Sequence, residues 1–318
     1  MSSGIVVTDQ GFGNVTREQA LANRFGVGFA AHHSQTEEET VSVATGATVL
    51  FVNFAPITRR VLSVLEPGAT IIRYGVGYDN VDVASAKELG IRVCNVPDYG
   101  ADTVADHTVS MLLTLLRKVA LLDRAVRERG WAQPSDLGSV RGFTETAVGL
   151  IGTGRIGLAV AARLQPFGFT VLAHDPFIED AQLAALRIQP VGLDELLRSA
   201  NAISLHAPLT AQTSHLIGEA SLQAVRPGAV IVNTARGGLI DEGALVSSLR
   251  SGHLGGAALD VFETEPLPED SDLRTFPNVL LTPHVSFFSD ASLANLQRLA
   301  TEEAERALSG QALRCEVN

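Results

Sequence analysis

The sequence predicts an α/β protein made of two doubly wound parallel sheets. Three observations carry that reading. Short apolar runs rich in Val, Ile and Leu recur along the whole chain. Most lack polar alternation, which suits strands covered on both faces. Helix-like stretches lie between them, the alternation expected of βα units.

The candidate strands fall at residues 5–7, 48–52, 71–74, 91–94, 147–152, 169–175, 202–206, 229–235, 257–262 and 279–282. Candidate helices include 156–165, 193–199, 221–225 and 243–251. They group into two βα series, one ending near Pro97 and one running from Ala147 to Pro283. A single long helix is expected between the series, over 102–129, with Thr103 and Asp106 in capping-box spacing. Its stretch 109–116 is apolar almost all round, as for a helix buried at a domain or subunit interface. A looser stretch, 130–145, follows, and an amphipathic helix is expected over 290–308.

The 318-residue length suits two domains at ~100–200 residues each. With 46% hydrophobic and 19% charged residues, the chain is too apolar for disorder. A net charge of −11 and the lack of a Lys/Arg-rich run argue against nucleic acid as a partner. No apolar run reaches the ~18 residues of a membrane span, and Met1-Ser2-Ser3-Gly4 does not read as a secretion signal. Two cysteines, Cys94 and Cys315, make neither a disulfide framework nor a metal knuckle. A soluble cytoplasmic protein without metal is therefore expected.

The most informative motif is Gly152-Thr153-Gly154-Arg155-Ile156-Gly157, a G-x-G-x-x-G between a strand and a helix. Gly152 permits a tight turn, Gly154 lets a pyrophosphate approach the backbone, and Gly157 lets the helix pack closely. The helix N-terminus then offers N–H groups to phosphates. A second strand ends near Asp175, placed to bind ribose hydroxyls and to repel a 2′-phosphate, so NAD is expected over NADP.

Three later strands each end in a polar residue: Arg236 after 229–235, the acids Glu263 and Glu265 after 257–262, and His284 after 279–282. Ligands of open parallel sheets bind at the carboxyl ends of the strands. An Arg there can hold a carboxylate and polarise a carbonyl. A His can pass a proton to the oxygen as hydride arrives, and a nearby Glu favours its protonated form. Either Glu263 or Glu265 fits that role on these grounds.

With these motifs in place, the chain resembles the D-isomer-specific 2-hydroxyacid dehydrogenases. The likeness rests on Val148–Gly157, Asp175, Asn233–Gly238, Ala258–Pro266 and Thr282–His284, in the family's order. Arg73–Asp82 and Cys94–Pro97 resemble the branch of the C-terminal-binding proteins. The resemblance implies Glu265 as the acid, Arg236 on the substrate and His284 as proton donor. It also implies that Arg73 and the backbone at Val76 and Gly77 meet the substrate carboxylate. It puts Thr234, Asp260, Ala207 and Thr213 at the NAD site with Thr108 touching it, and His206, Pro208 and Ala235 are expected beside them. The implied architecture is a flavodoxin-like substrate domain, 1–100 plus 286–318, interrupted by a Rossmann NAD domain, 101–285. Homodimers are implied as well.

The chain departs from the family at Phe287, where the C-terminal-binding branch has Trp. With Phe54, also expected at the cleft, it suggests a substrate with an apolar side chain rather than a phosphate. With no Arg- or Lys-rich feature to mark a phosphate subsite and no C-terminal regulatory domain read in the sequence, a long-form phosphoglycerate dehydrogenase is not expected. The expected activity is NAD-dependent interconversion of a 2-keto acid and its D-2-hydroxy acid. Two alternatives stand beside it: an NAD(H)-sensing, corepressor-like binding protein, and a dehydrogenase of a smaller anion such as formate or phosphite.

Overall fold

The computed structural model describes residues 4–318 and divides into two compact units. One comprises the described part of Met1–Gly100 with Ser289–Asn318, and the other Ala101–Phe288. The second boundary lies three residues beyond the expected 285, because the Val285 and Ser286 amides both bond to the Asp260 carboxylate and stay with the second unit.

The first unit runs β1 (Ile5–Val7), α1 (Thr16–Phe25), β2 (Phe29–Ala31), α2 (Glu37–Ala44), β3 (Val49–Val52), α3 (Arg59–Leu62), β4 (Thr70–Arg73), α4 (Val83–Glu88) and β5 (Arg92–Cys94). Its sheet is wholly parallel in the flavodoxin-like order β2-β1-β3-β4-β5. The sequence pattern does not reveal β2, which is three residues long, partly exposed and at the sheet edge.

The second unit runs α5 (Ala101–Leu116), α6 (Val119–Arg129), β6 (Ala147–Ile151), α7 (Arg155–Leu164), β7 (Thr170–His174), α8 (Asp180–Ala185), β8 (Gln189–Pro190), α9 (Leu193–Ser199), β9 (Ala202–Leu205), α10 (Glu219–Ala224), β10 (Val230–Asn233), α11 (Glu242–Arg250), β11 (Gly256–Leu259) and β12 (Val279–Leu281). The sheet order is β12-β11-β10-β9-β6-β7-β8, again parallel throughout. This is a Rossmann sheet whose strand order reverses between β6 and β9. The two-residue β8, an edge strand containing a proline, also escapes the sequence pattern. The last helix, α12 (Asp290–Leu308), returns to the first unit and packs on β3, β4 and α1.

The expected helix over 102–129 is two helices. Lys118 adopts φ 55° and breaks the ladder, while its amine donates to the Leu137 carbonyl. No Gly or Pro marks the break, so the sequence pattern runs through it. Thr103 is not a cap, since α5 already begins at Ala101.

Successive residues of β10 face opposite cores. Ile231 packs with Leu196, Leu222 and Leu245 beneath α9–α11. Val230 and Val232 pack with Leu112, Val160 and Leu164 beneath α5 and α7. The apolar surface of α5 therefore covers the sheet of its own unit, and no subunit interface is needed to explain it. Among the described residues no helix is long and apolar enough to cross a membrane.

Leu112 is 1% exposed at the centre of this packing. Leu112→Ala should lower stability by about 2–5 kcal/mol through lost burial and a cavity, read by equilibrium unfolding.

Candidate functional site

In the second unit, the turns after β6, β7, β9, β10, β11 and β12 all emerge at the carboxyl edge of the sheet. These turns carry most of the residues singled out from the sequence. A hollow of about 380 Å³, lined in part by Thr114, Leu116, Arg141, Asn201, Arg226 and Asn278, opens at the opposite, amino edge.

The glycine loop has the form its spacing predicts. Gly152 sits at φ 92°, and a Cβ there would lie 2.7 Å from the Ala207 nitrogen. A Cβ on Gly157 would come within 2.3 Å of the Gly152 carbonyl oxygen. In front of Gly154 nothing lies within 4 Å, so the backbone is open to a ligand just where α7 begins. The first N–H groups of α7, at Arg155, Ile156 and Gly157, have no helical carbonyl to meet and can bind an anion. This cradle fits the pyrophosphate of a dinucleotide.

Asp175 follows β7, and its Oδ2 accepts from Thr153 N at 2.7 Å and Thr153 Oγ1 at 2.9 Å. Burial raises its pKa, but the N–H groups of Thr153 and Phe177 and the Thr153 hydroxyl outweigh burial and hold it below the usual value. The carboxylate is thus ionised, which disfavours a 2′-phosphate. His206 follows β9; its Nε2 lies 2.9 Å from Ser204 Oγ, and desolvation pushes its pKa down to about 4. Thr213 closes the loop after Pro208, donating to the Pro208 carbonyl at 2.6 Å. Thr108, on α5, and Thr234, past β10, share a buried 2.8 Å hydrogen bond.

Asp260 is fully buried, and its oxygens are committed to a structural task. Oδ1 accepts from Thr282 Oγ1 at 2.5 Å and Val285 N at 2.9 Å, and Oδ2 from Ser286 N at 2.9 Å. This role for Asp260 goes beyond the sequence reading; the only signal there is an acid directly after an apolar strand.

The loop so held contains His284, at φ 52°, with its N–H on the Asp260 carbonyl at 2.7 Å. His284 Nδ1 lies 2.6 Å from Glu265 Oε2. Glu265 Oε1 accepts from Phe262 N at 2.9 Å, so the carboxylate is pinned by its own turn. Burial raises the Glu265 pKa, but the hydrogen bond and charge of His284, then Phe262 N–H and Arg236, win and hold it below the usual value. Of the two acids, Glu265 makes this contact, while Glu263 pairs with His215 instead, at 2.5 Å.

Arg236 follows β10. Asn233 shapes its turn, donating to the Arg236 carbonyl at 2.8 Å and accepting from Ala235 N at 3.0 Å. Gly237 is obligatory here, because a Cβ would fall 1.9 Å from the Phe262 carbonyl carbon. The turns bearing Arg236 and Glu265 are therefore in backbone contact. Phe287 meets the His284 ring edge-on, with centroids 6.5 Å apart.

In the first unit, Arg73 ends β4 and donates to the Tyr74 carbonyl at 2.7 Å. Gly75 takes φ 126°, and Asn95 holds the Val76 carbonyl at 2.7 Å. This ordered turn leaves Val76 41% exposed, and Phe54 in the same unit is 53% exposed. Among the described residues no group of three or more His, Cys, Asp or Glu could hold a metal.

Comparison with known proteins accords with this arrangement. Residues 109–286 match the family model described as D-isomer specific 2-hydroxyacid dehydrogenase, NAD binding domain. D-3-phosphoglycerate dehydrogenase of Mycobacterium leprae is 42% identical over 252 residues, 78% of this chain and 46% of that one. The chain spans about half the length of the curated relatives it matches. A protein of Thermus thermophilus superposes with a TM-score of 0.88, 33% identity and 99% of both chains covered. D-Lactate dehydrogenase of Aquifex aeolicus, solved with NAD and lactic acid, does so with a TM-score of 0.87, 28% identity and 96% of both chains covered. The chain belongs to the D-isomer-specific 2-hydroxyacid dehydrogenase family and carries its NAD-binding domain.

Proposed function

We propose that this protein is an NAD-dependent dehydrogenase that interconverts a 2-keto acid and its D-2-hydroxy acid. The observation that carries the reading is the 2.6 Å contact of His284 Nδ1 with Glu265, beside Arg236 and at the sheet edge that bears the glycine cradle.

Bound at the cradle, NAD supplies the hydride donor or acceptor. Glu265 holds Nδ1 of His284 and thereby fixes the ring and its tautomer. Nε2, facing away from Glu265, carries the mobile proton. In reduction, protonated His284 donates from Nε2 to the carbonyl oxygen as it becomes a hydroxyl. In oxidation, neutral His284 accepts the hydroxyl proton at Nε2. Arg236 polarises the carbonyl and binds the carboxylate with charge-assisted hydrogen bonds. In the first unit, Arg73 and the amides of Val76 and Gly77 serve as carboxylate donors. Phe54 and Phe287 favour a substrate with an apolar side chain.

The protein acts as a cytoplasmic homodimer in this reading. Helix α6 buries only Ala125 and leaves Val119 and Val126 exposed, and Trp131 just beyond it is 70% exposed. A second copy would cover this apolar surface.

The purified protein, given NADH and a panel of 2-keto acids, should oxidise NADH with at least one of them. His284→Ala should lower kcat by roughly 10²–10⁴-fold, the usual worth of a general acid. Arg236→Gln should weaken kcat/KM by roughly 10–100-fold, the loss of a charge-assisted pair. NADH oxidation no faster with wild type than with His284→Ala, across the whole panel, would overturn the reading.

NADPH should serve far less well than NADH, and Asp175→Ser should narrow that gap in kcat/KM by removing the charge facing a 2′-phosphate.

The pH profile follows from the depressed Glu265 pKa. A depressed carboxyl keeps its charge as pH falls until that lowered pKa is reached, below the ordinary ~4.3. Reduction should therefore persist as pH falls into the ordinary glutamate range of ~4.3, with loss of the Glu265 charge felt only below it. Glu265→Gln should be slow throughout and lack this limb, as rate profiles between pH ~3 and ~8 would record.

A further inference from the structure

A second imidazole–carboxylate pair lies beside the first. His215 Nε2 is 2.5 Å from Glu263 Oε1, two residues before Glu265. His215 closes the loop that begins at His206 after β9, with φ 50° and its N–H on the Gly238 carbonyl at 2.8 Å. Ile217 pairs with Ile240, so this chain segment is also tied to the end of the Arg236 turn. Glu263 N donates to Glu242 Oε1, at the start of α11, at 2.7 Å. Gly237 lies directly under the Phe262 carbonyl. The turn 262–265 is thus gripped by its own Glu265, by Glu242, and by the loop 206–215 through His215.

We infer that the His215–Glu263 pair is a positioning device, linking the loop 206–215 to the turn that aims Glu265 at His284. His215 and Glu263 are positioning residues, and neither need touch substrate. The side chains are 50% and 34% exposed, so the pair contributes little to stability. Its reason to exist lies in geometry: Glu265 must hold one orientation against Nδ1, and a small displacement at a reacting centre is costly. The inference rests on the function proposed above for Glu265 and His284.

The test compares wild type, His215→Ala, Glu263→Ala, the double variant and Glu263→Gln. Each is measured for melting temperature, NADH affinity, kcat and KM for the best-used keto acid, and hydrogen exchange of the peptide covering 260–267. Each alanine variant should lower kcat by roughly 3–10-fold, in the range of contacting-residue couplings. Melting temperature, NADH affinity and KM should stay near wild type. The double variant should be no worse than the singles, because one contact is lost either way. Glu263→Gln, which keeps an oxygen acceptor, should recover most of the rate. Exchange over 260–267 should rise in the alanine variants. Wild-type kcat in both alanine variants, additive losses in the double variant, or unchanged exchange would overturn the inference. If wild type reduces no keto acid, the functional reading fails, and faster exchange in the alanine variants still upholds the tether while unchanged exchange removes it.

Discussion

The site is organised around one buried acidic side chain. Asp260 is inaccessible to solvent, and a buried carboxylate is tolerated only when donors replace its lost water. Thr282 Oγ1 and the amides of Val285 and Ser286 supply them. To deliver these donors, the chain after β12 must curl back over the end of β11. That curl forces His284, between the donors, into the left-handed region at φ 52°. Non-glycine residues sit there uncommonly, histidine more readily than most, and such conformations persist where surrounding contacts over-determine them. The strain is localised on the residue whose imidazole meets Glu265.

The cofactor loop obeys a steric rule of the same kind. At the point where the strand order reverses, the turn after β6 and the chain after β9 approach so closely that Gly152 has no room for a side chain. Gly154 differs, because the space before it is empty, and a methyl there would stand where a phosphate belongs. Crowding at Gly152, Gly157 and Gly237 fixes backbone shape, whereas openness at Gly154 reserves room for ligand. The motif as a string of letters does not separate these causes.

Much of this is legible in the sequence. Apolar runs without alternation mark the buried parallel strands, and strand-end positions mark Gly152, Asp175, Arg236, His284 and the pair of acids Glu263 and Glu265. What escapes is set by tertiary contact. The break at Lys118 has no Gly or Pro to announce it and depends on a left-handed residue whose amine meets Leu137. The edge strands β2 and β8 are too short for a periodicity to register. Thr108 and Thr234 belong to distant segments, and only the packing of α5 against the sheet explains their shared hydrogen bond. The choice between Glu263 and Glu265 is open to physical reasoning on the sequence, because either could reach a histidine.

The two glutamates show how neighbouring groups of one type acquire different work. Glu265 has both oxygens engaged, one by Phe262 N–H and one by His284. It cannot turn without losing a bond, and its side chain and that of His284 are 33% and 26% exposed. At that degree of enclosure, charge and orientation act strongly on a proton held at the ring. Glu263 has one oxygen on His215, whose side chain is half exposed, so water competes for the same contacts. Identical side-chain chemistry thus suits proton handling where the histidine is the more enclosed and holding a turn where it is half exposed. The two-residue spacing on a turn gripped by Glu242 and underlain by Gly237 lets them face different partners.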